Sequence, residues 1–132
     1  MDAMAGFEIF ESGKYLSLET YRKSGVAVRT PVWFVAAPND DAGPRLYVYS
    51  AADSGKGKRI RRNGKIRIAP CDNRGNVTGG WIDSRATIVG AAEFSRAMPL
   101  LNRKYWPWKG LLDLFMRFRP GARRIVIAIQ MA

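Results

Sequence analysis

The sequence predicts a mainly β fold, a small and predominantly antiparallel barrel with a few helices, and three observations lead there. Short runs in which apolar and polar residues alternate are separated by Gly-, Asn- and Asp-containing turns, the pattern of hairpin-linked strands. Six such runs can be counted, and closing them into a barrel removes the exposed edges of an open antiparallel sheet. The chain has 132 residues, 47% of them hydrophobic, with four Trp, five Tyr and six Phe. That is enough for one core over residues 1–132 without disulfides or a structural metal.

The elements follow in order. Ala3 to Ser12, with Phe7, Ile9 and Phe10 among Glu8 and Glu11, reads as a short helix ended by Gly13. Lys14 to Arg22 alternates around Leu16 and Leu18 as a first strand, and Lys23-Ser24-Gly25 supplies the hairpin turn. Val26 to Val35 is the second strand. Its Pro31 cannot donate to a ladder, so a bulge, a sheet edge or a ligand-facing kink is expected there. The loop Pro38 to Pro44 leads to a third strand, Arg45 to Ser50, and then to a basic helix from Ser54 to Asn63 capped by Asp53 or Ser54. Lys65 to Cys71 forms a fourth strand and Asp72 to Asn76 a turn. Gly80 to Glu93 forms a long fifth strand, and the β-branched run Arg124 to Ile129 a buried sixth. Between the last two, Ser95 to Tyr105 and Trp108 to Phe118 repeat apolar residues at helical spacing, with Pro107 interrupting and Pro120-Gly121 ending the region.

Composition removes several chemistries. With no histidine, neither a Ser-His-Asp nor a Cys-His arrangement can be built, and with Cys71 as sole cysteine no common zinc site can either. Cys71 reads as a buried inert thiol, and a reducing cytoplasm is the expected location. Met1-Asp2-Ala3 does not begin a signal sequence and no run of about 18 apolar residues occurs, so neither secretion nor membrane spanning is expected. An enzyme of this composition would rely on a cofactor for its chemistry.

The strongest chemical signal is cationic. Lys56, Lys58, Arg59, Arg61, Arg62, Lys65 and Arg67 lie at a strand-helix junction, where Ser50, Ser54, Gly55 and Gly57 offer hydroxyls and close backbone approach. These are the ingredients of a phosphate cradle; the plain alternative is a solvated basic helix face. Gly57-Lys58 precedes Arg59 rather than Ser or Thr, and Ile60 stands where a dinucleotide fingerprint has its third glycine, so the stretch is neither a P-loop nor a Rossmann turn. Val28 to Phe34 could supply a rigid apolar wall beside it, or simply be a core strand.

Arg29-Thr30-Pro31-Val32-Trp33-Phe34, then Tyr49-Ser50, then Ser54-Gly55-Lys56-Gly57-Lys58-Arg59-Ile60 with Arg62-Asn63 resemble the flavin-binding core of the split-barrel proteins related to pyridoxamine 5'-phosphate oxidase, particularly their deazaflavin-dependent branch. The resemblance runs by motif from about Lys14 to Arg85, and by element order to the C-terminus. It implies a homodimer of six-stranded antiparallel split barrels of the FMN-binding type, with cofactor sites at the subunit interface. Arg29 and the Thr30, Pro31, Val32 and Trp33 backbone would then line the ring and polyol chain with Tyr49 nearby. Ser50, Ser54, Gly55, Lys56 and Lys58 would hold phosphate, and Trp81 and Arg85 would reach in from the other subunit. Three departures bear on activity: Gly64 stands where the family often has proline, a substrate-gripping C-terminal extension is not expected, and no acid or base lies beside the ring. Oxidation of a vitamin B6 substrate is therefore not expected.

The formal charge of +11 argues for coenzyme F-420, whose tail carries a phosphodiester and several carboxylates, with FMN as the alternative. Hydride transfer between the reduced deazaflavin and an unidentified small organic substrate is the reaction this implies. The same charge would suit nucleic acid on a basic barrel, a rival reading that the resemblance disfavours, so no nucleic-acid partner is expected. Trp106, Trp108, Leu111, Leu112, Leu114 and Phe115 beside Lys104, Lys109, Arg117 and Arg119 would allow peripheral lipid contact, although core or dimer packing is the commoner use of such a stripe.

Overall fold

The computed structural model describes residues 7–10, 13–41, 43–51, 54–105 and 124–131. Six strands, β1 (Tyr15–Tyr21), β2 (Ala27–Ala37), β3 (Arg45–Ala51), β4 (Lys65–Cys71), β5 (Ile82–Ile88) and β6 (Arg124–Met131), close into one barrel in the order β1-β2-β3-β6-β5-β4. Every pairing is antiparallel. Among the described residues two helices accompany them, α1 (Gly55–Arg62) and α2 (Ala91–Tyr105), together with a helical turn at 7–10.

Strand alternation sorts the side chains into two cores. Leu16, Leu18, Val32, Phe34, Leu46, Val48, Ile66, Ile68, Ile127 and Ile129 point into the barrel, where Ile60 of α1 and Phe7 and Phe10 of the helical turn join them. Phe10 meets Phe34 edge-on at 5.9 Å between ring centroids, a favoured aromatic geometry. On the outer surface, Val35, Ala37, Tyr47, Tyr49, Val126 and Ala128 pack against Ala97, Leu101 and Tyr105 of α2. Because α2 covers them, β3, β6 and the second half of β2 are buried on both faces, and their sequences read as near-continuous apolar runs.

The turns are made by the residues that suit them. Gly25 sits at φ 89° in the β1–β2 hairpin, where its N–H donates to the Arg22 carbonyl at 2.8 Å; a side chain there would be strained. In the turn after β4, Asp72 Oδ1 accepts from the Arg74 and Asn76 backbone N–H groups, both at 2.9 Å, an Asx-type closure.

The predicted fifth strand, Gly80 to Glu93, is a correction. The ladder stops at Ile88, and Phe94 N–H donates to the Gly90 carbonyl at 2.9 Å, so the chain is helical from Ala91 rather than from Ser95. Ala91, Ala92 and Glu93 are good helix formers, with the acid in the first turn where the helix dipole favours it. Cys71 is half-buried rather than buried. The expected helix Trp108 to Phe118, the Pro107 break, the Pro120-Gly121 stop and the candidate cap Asp53 lie outside the described residues, as do the ends of the helix expected at Ala3 to Ser12. Among the described residues no helix is long and apolar enough to cross a membrane.

Candidate functional site

The barrel is split where the β2–β3 ladder ends. β2 pairs with β1 from Ala27 to Trp33 on one edge and with β3 only from Phe34 to Ala37 on the other, while β3 continues along β6 as far as Ala51. Among the described residues the second edge of β2 from 27 to 33 therefore has no ladder partner. Phe34 N–H donates to the Tyr105 hydroxyl at 2.8 Å, and that hydroxyl also meets the Lys14 carbonyl, on the β1 side. By alternation the backbone groups of Pro31 and Trp33 face the opposite way, into the gap. Pro31 thus occupies an edge position where its missing N–H costs no ladder bond, as its place in the sequence required.

The gap forms a cleft of about 220 Å³ lined by Tyr15, Pro31, Val32, Trp33, Tyr49 and Lys56. Five of these six were singled out from the sequence. Tyr15 was missed, although its position is set by register, since it stands opposite Trp33 in the ladder. Behind the wall, the Trp33 ring stacks on Tyr105 with centroids 4.7 Å apart and planes 7° from parallel. Burial pushes the Tyr105 phenol well above its ordinary value and keeps it neutral.

Two residues before Lys56, Ser54 caps α1, its hydroxyl accepting from Gly57 N–H at 3.2 Å. Ser50 Oγ lies 3.1 Å from Ser54 Oγ. The first turn of α1 carries no acidic residue, so its dipole and the two hydroxyls are matched to an anion. Lys56 points into the cleft; burial, and then the charge of Arg59, lower its pKa. A desolvated ammonium with a like charge behind it gains from an anion in front. Gly55 is exposed at the start of α1, where a Cβ would come within 2.7 Å of the Arg59 guanidinium. Thr30 points inward beside Leu18, and Lys58 is exposed outside the cleft.

Arg29 and Trp81 belong to a different group, one the sequence did not reveal. Glu19, on the outward face of β1, is fully buried. Its carboxylate accepts from Arg29 Nε at 2.8 Å, Arg67 Nε at 2.7 Å, Arg67 Nη2 at 3.1 Å and the Tyr21 hydroxyl at 2.6 Å. The Trp81 ring roofs both guanidiniums, 4.5 Å from Arg29 and 5.2 Å from Arg67. Hydrogen bonds led by that from Arg67 outweigh desolvation and hold the Glu19 pKa down to about 2. Trp81 is thus engaged by its own chain. Arg85 lies across the barrel on β5, in a separate cleft with Lys65 and Gln130.

No protein-family model and no curated protein matches the chain. Solved structures match its fold. A Listeria innocua protein designated a candidate pyridoxamine 5'-phosphate oxidase is 15% identical with a TM-score of 0.61, covering 97% of this chain and 89% of its own. An FAD-binding protein from Mesorhizobium loti is 14% identical with a TM-score of 0.62, covering 99% and 88%. The heme storage protein of Vibrio cholerae is 12% identical with a TM-score of 0.67, covering 100% and 92%. The architecture is the six-stranded split barrel of pyridoxamine 5'-phosphate oxidase-like proteins, and at these identities the likeness is one of fold.

Proposed function

We propose that the chain is a flavin-class oxidoreductase whose cofactor lies in the gap between β2 and β3. The observation that carries this reading is the convergence of an unpaired backbone edge at Pro31 and Trp33 with Lys56 in one cleft, Lys56 lying two residues after Ser54, which caps α1 and meets Ser50. A flat heterocycle with polar edges and a phosphate tail needs those two complements, in that order along one groove. Heme, the ligand named for one fold neighbour, is disfavoured by the lack of any histidine to serve as an axial ligand.

In this reading Lys56 and the two serine hydroxyls hold the phosphate. The Trp33 backbone fixes the ring edge, and Tyr15, Trp33 and Tyr49 keep water from its face. When bound, the flavin supplies hydride chemistry. Among the described residues no carboxylate lines the cleft, and the chain has no imidazole, so the lining contributes position and dryness rather than proton transfer.

One phosphate suits one half-buried lysine, which favours FMN. Three further cations of the basic stretch are engaged by the fold itself: Arg59 with Thr20, Arg62 with the Tyr21 carbonyl and Arg67 with Glu19. Coenzyme F-420 is the second reading, favoured by the net charge of +11, which would draw in a polyanionic tail. A cleft of about 220 Å³ is below the roughly 300–1,000 Å³ of a complete ligand site, and a second copy of this chain closing over it would make up the difference.

The test is a fluorescence titration with FMN and with F-420 at two salt concentrations, on wild type, Lys56→Ala and Lys58→Ala. Saturable binding that weakens about tenfold in Lys56→Ala and is unchanged in Lys58→Ala supports the cradle. Equal losses in both variants would mean diffuse electrostatics instead, and binding of neither cofactor removes the reading. Light scattering with and without cofactor tests the dimer.

A further inference from the structure

A cleft of about 470 Å³ lies away from the β2–β3 gap, on the β4–β5–β6 side of the barrel. Its walls are Lys65, Asp83, Ser84, Arg85, Gln130 and Met131. Register explains the arrangement. Lys65 stands directly opposite Arg85, and Arg85 directly opposite Gln130, so three adjacent strands present one outward row of donors. Ser84 and Met131, paired with each other in the adjacent row, are buried and also line the cleft.

Two like charges facing each other across an antiparallel ladder, with Cβ atoms about 5 Å apart, destabilise a sheet unless an anion lies between them. Here neither Lys65 nor Arg85 forms an ion pair among the described residues. The nearby carboxylate, Asp83, stands opposite Arg67, whose guanidinium is turned away to Glu19. Asp83 lies two residues from Arg85 on the same outward face, roughly 7 Å along the strand, and is exposed.

We infer that this cleft binds a small phosphate monoester bearing a hydroxyl or amino group. The Lys65 ammonium and the Arg85 guanidinium share the phosphate dianion, the Gln130 amide donates to a third oxygen, and Asp83 accepts from the hydroxyl or amine. Paired cations match a dianion better than a single carboxylate, while the carboxylate two residues away favours an ester with a donor over bare phosphate. This inference is independent of the cofactor reading, since no residue is common to the two clefts.

Calorimetric titration in a Lys56→Ala background, which disables the other phosphate cradle, tests it with three probes: glycerol phosphate, methyl phosphate and acetate. The expected result is one saturable glycerol phosphate per chain, bound more tightly than methyl phosphate, with acetate weakest. Adding Lys65→Gln and Arg85→Gln should weaken glycerol phosphate about tenfold or more, and Asp83→Asn should erase its advantage over methyl phosphate. Both cations are exposed, so the variants should keep the wild-type circular dichroism; either single substitution serves if the double variant does not. Absence of saturable binding, unchanged affinity without the two cations, or acetate binding as tightly as the phosphate esters would overturn the assignment.

Discussion

Replacing Glu19 by Gln keeps the shape of the side chain and removes its charge, and the structure sets the size of the effect. A carboxyl that titrates at 4.5 when unperturbed and at about 2 in the fold contributes about 3 kcal/mol of stability at neutral pH. The partners are partly in water, with the Arg29 and Arg67 side chains 55% and 37% exposed. Screening and rehydration of the arginines therefore reduce the expected loss to about 2 kcal/mol. Because the folded pKa lies below the unfolded one, this stability is fully present above pH 4.5 and is lost as pH falls toward 2. Urea denaturation at pH 7 should find Glu19→Gln less stable by about 2 kcal/mol, equivalent to roughly 5–10 °C in Tm. At pH 3 the gap to wild type should shrink by about half or more. A variant within about 0.5 kcal/mol of wild type at pH 7, or a gap that does not narrow in acid, would refute the reasoning.

Lys104 gives the opposite sign. Among the described residues its Nζ is buried without a hydrogen-bond partner, 3.9 Å from the centre of the Phe34 ring, and burial lowers its pKa to about 8. The penalty is complete below pH 8 and relieved as pH rises toward the unperturbed 10.5. Lys104→Met should therefore be more stable by about 1–2 kcal/mol at pH 7, and should lack the wild-type gain in stability between pH 8 and 10 in parallel urea titrations. Tyr105→Phe retains the stack on Trp33 but strands the Phe34 N–H. Denaturation should show a loss of about 2 kcal/mol, and the Trp33 side of the cofactor gap should bind flavin less well. Gly25→Ala meets no atom within 4 Å but must adopt φ +89°, so a loss of about 1 kcal/mol measured by urea denaturation isolates the backbone cost.

Strand alternation and turn chemistry made most of the barrel legible. Lys65 to Cys71 has the bounds read from the sequence, Ser54 is the cap of α1, and the apolar run at β6 reflects burial on both faces. What local pattern could not show is long-range. Glu19 alternates with Leu18 as a solvent-facing strand residue should, and only the fold brings it Arg29 and Arg67, 10 and 48 positions away. The end of β5 was obscured because Ile88 and Val89 continue a β-like run while Gly90 is the only break before Ala91. In the candidate site, Pro31, Val32, Trp33, Tyr49 and Lys56 were legible as motif and converge in one cleft. Arg29 was legible as a residue but not in its partner, because a carboxylate on another strand takes up its guanidinium. The gap itself exists because the β2–β3 ladder covers only Phe34 to Ala37 of β2, a long-range pairing that no residue in the gap announces.

The most direct test is a crystal structure of the protein with FMN. The account requires the phosphate at Ser50, Ser54 and Lys56, and the ring along Pro31 to Trp33 with its polar edge on the Trp33 backbone. A ring bound elsewhere, or a phosphate held only by Lys65 and Arg85 across the barrel, would contradict it.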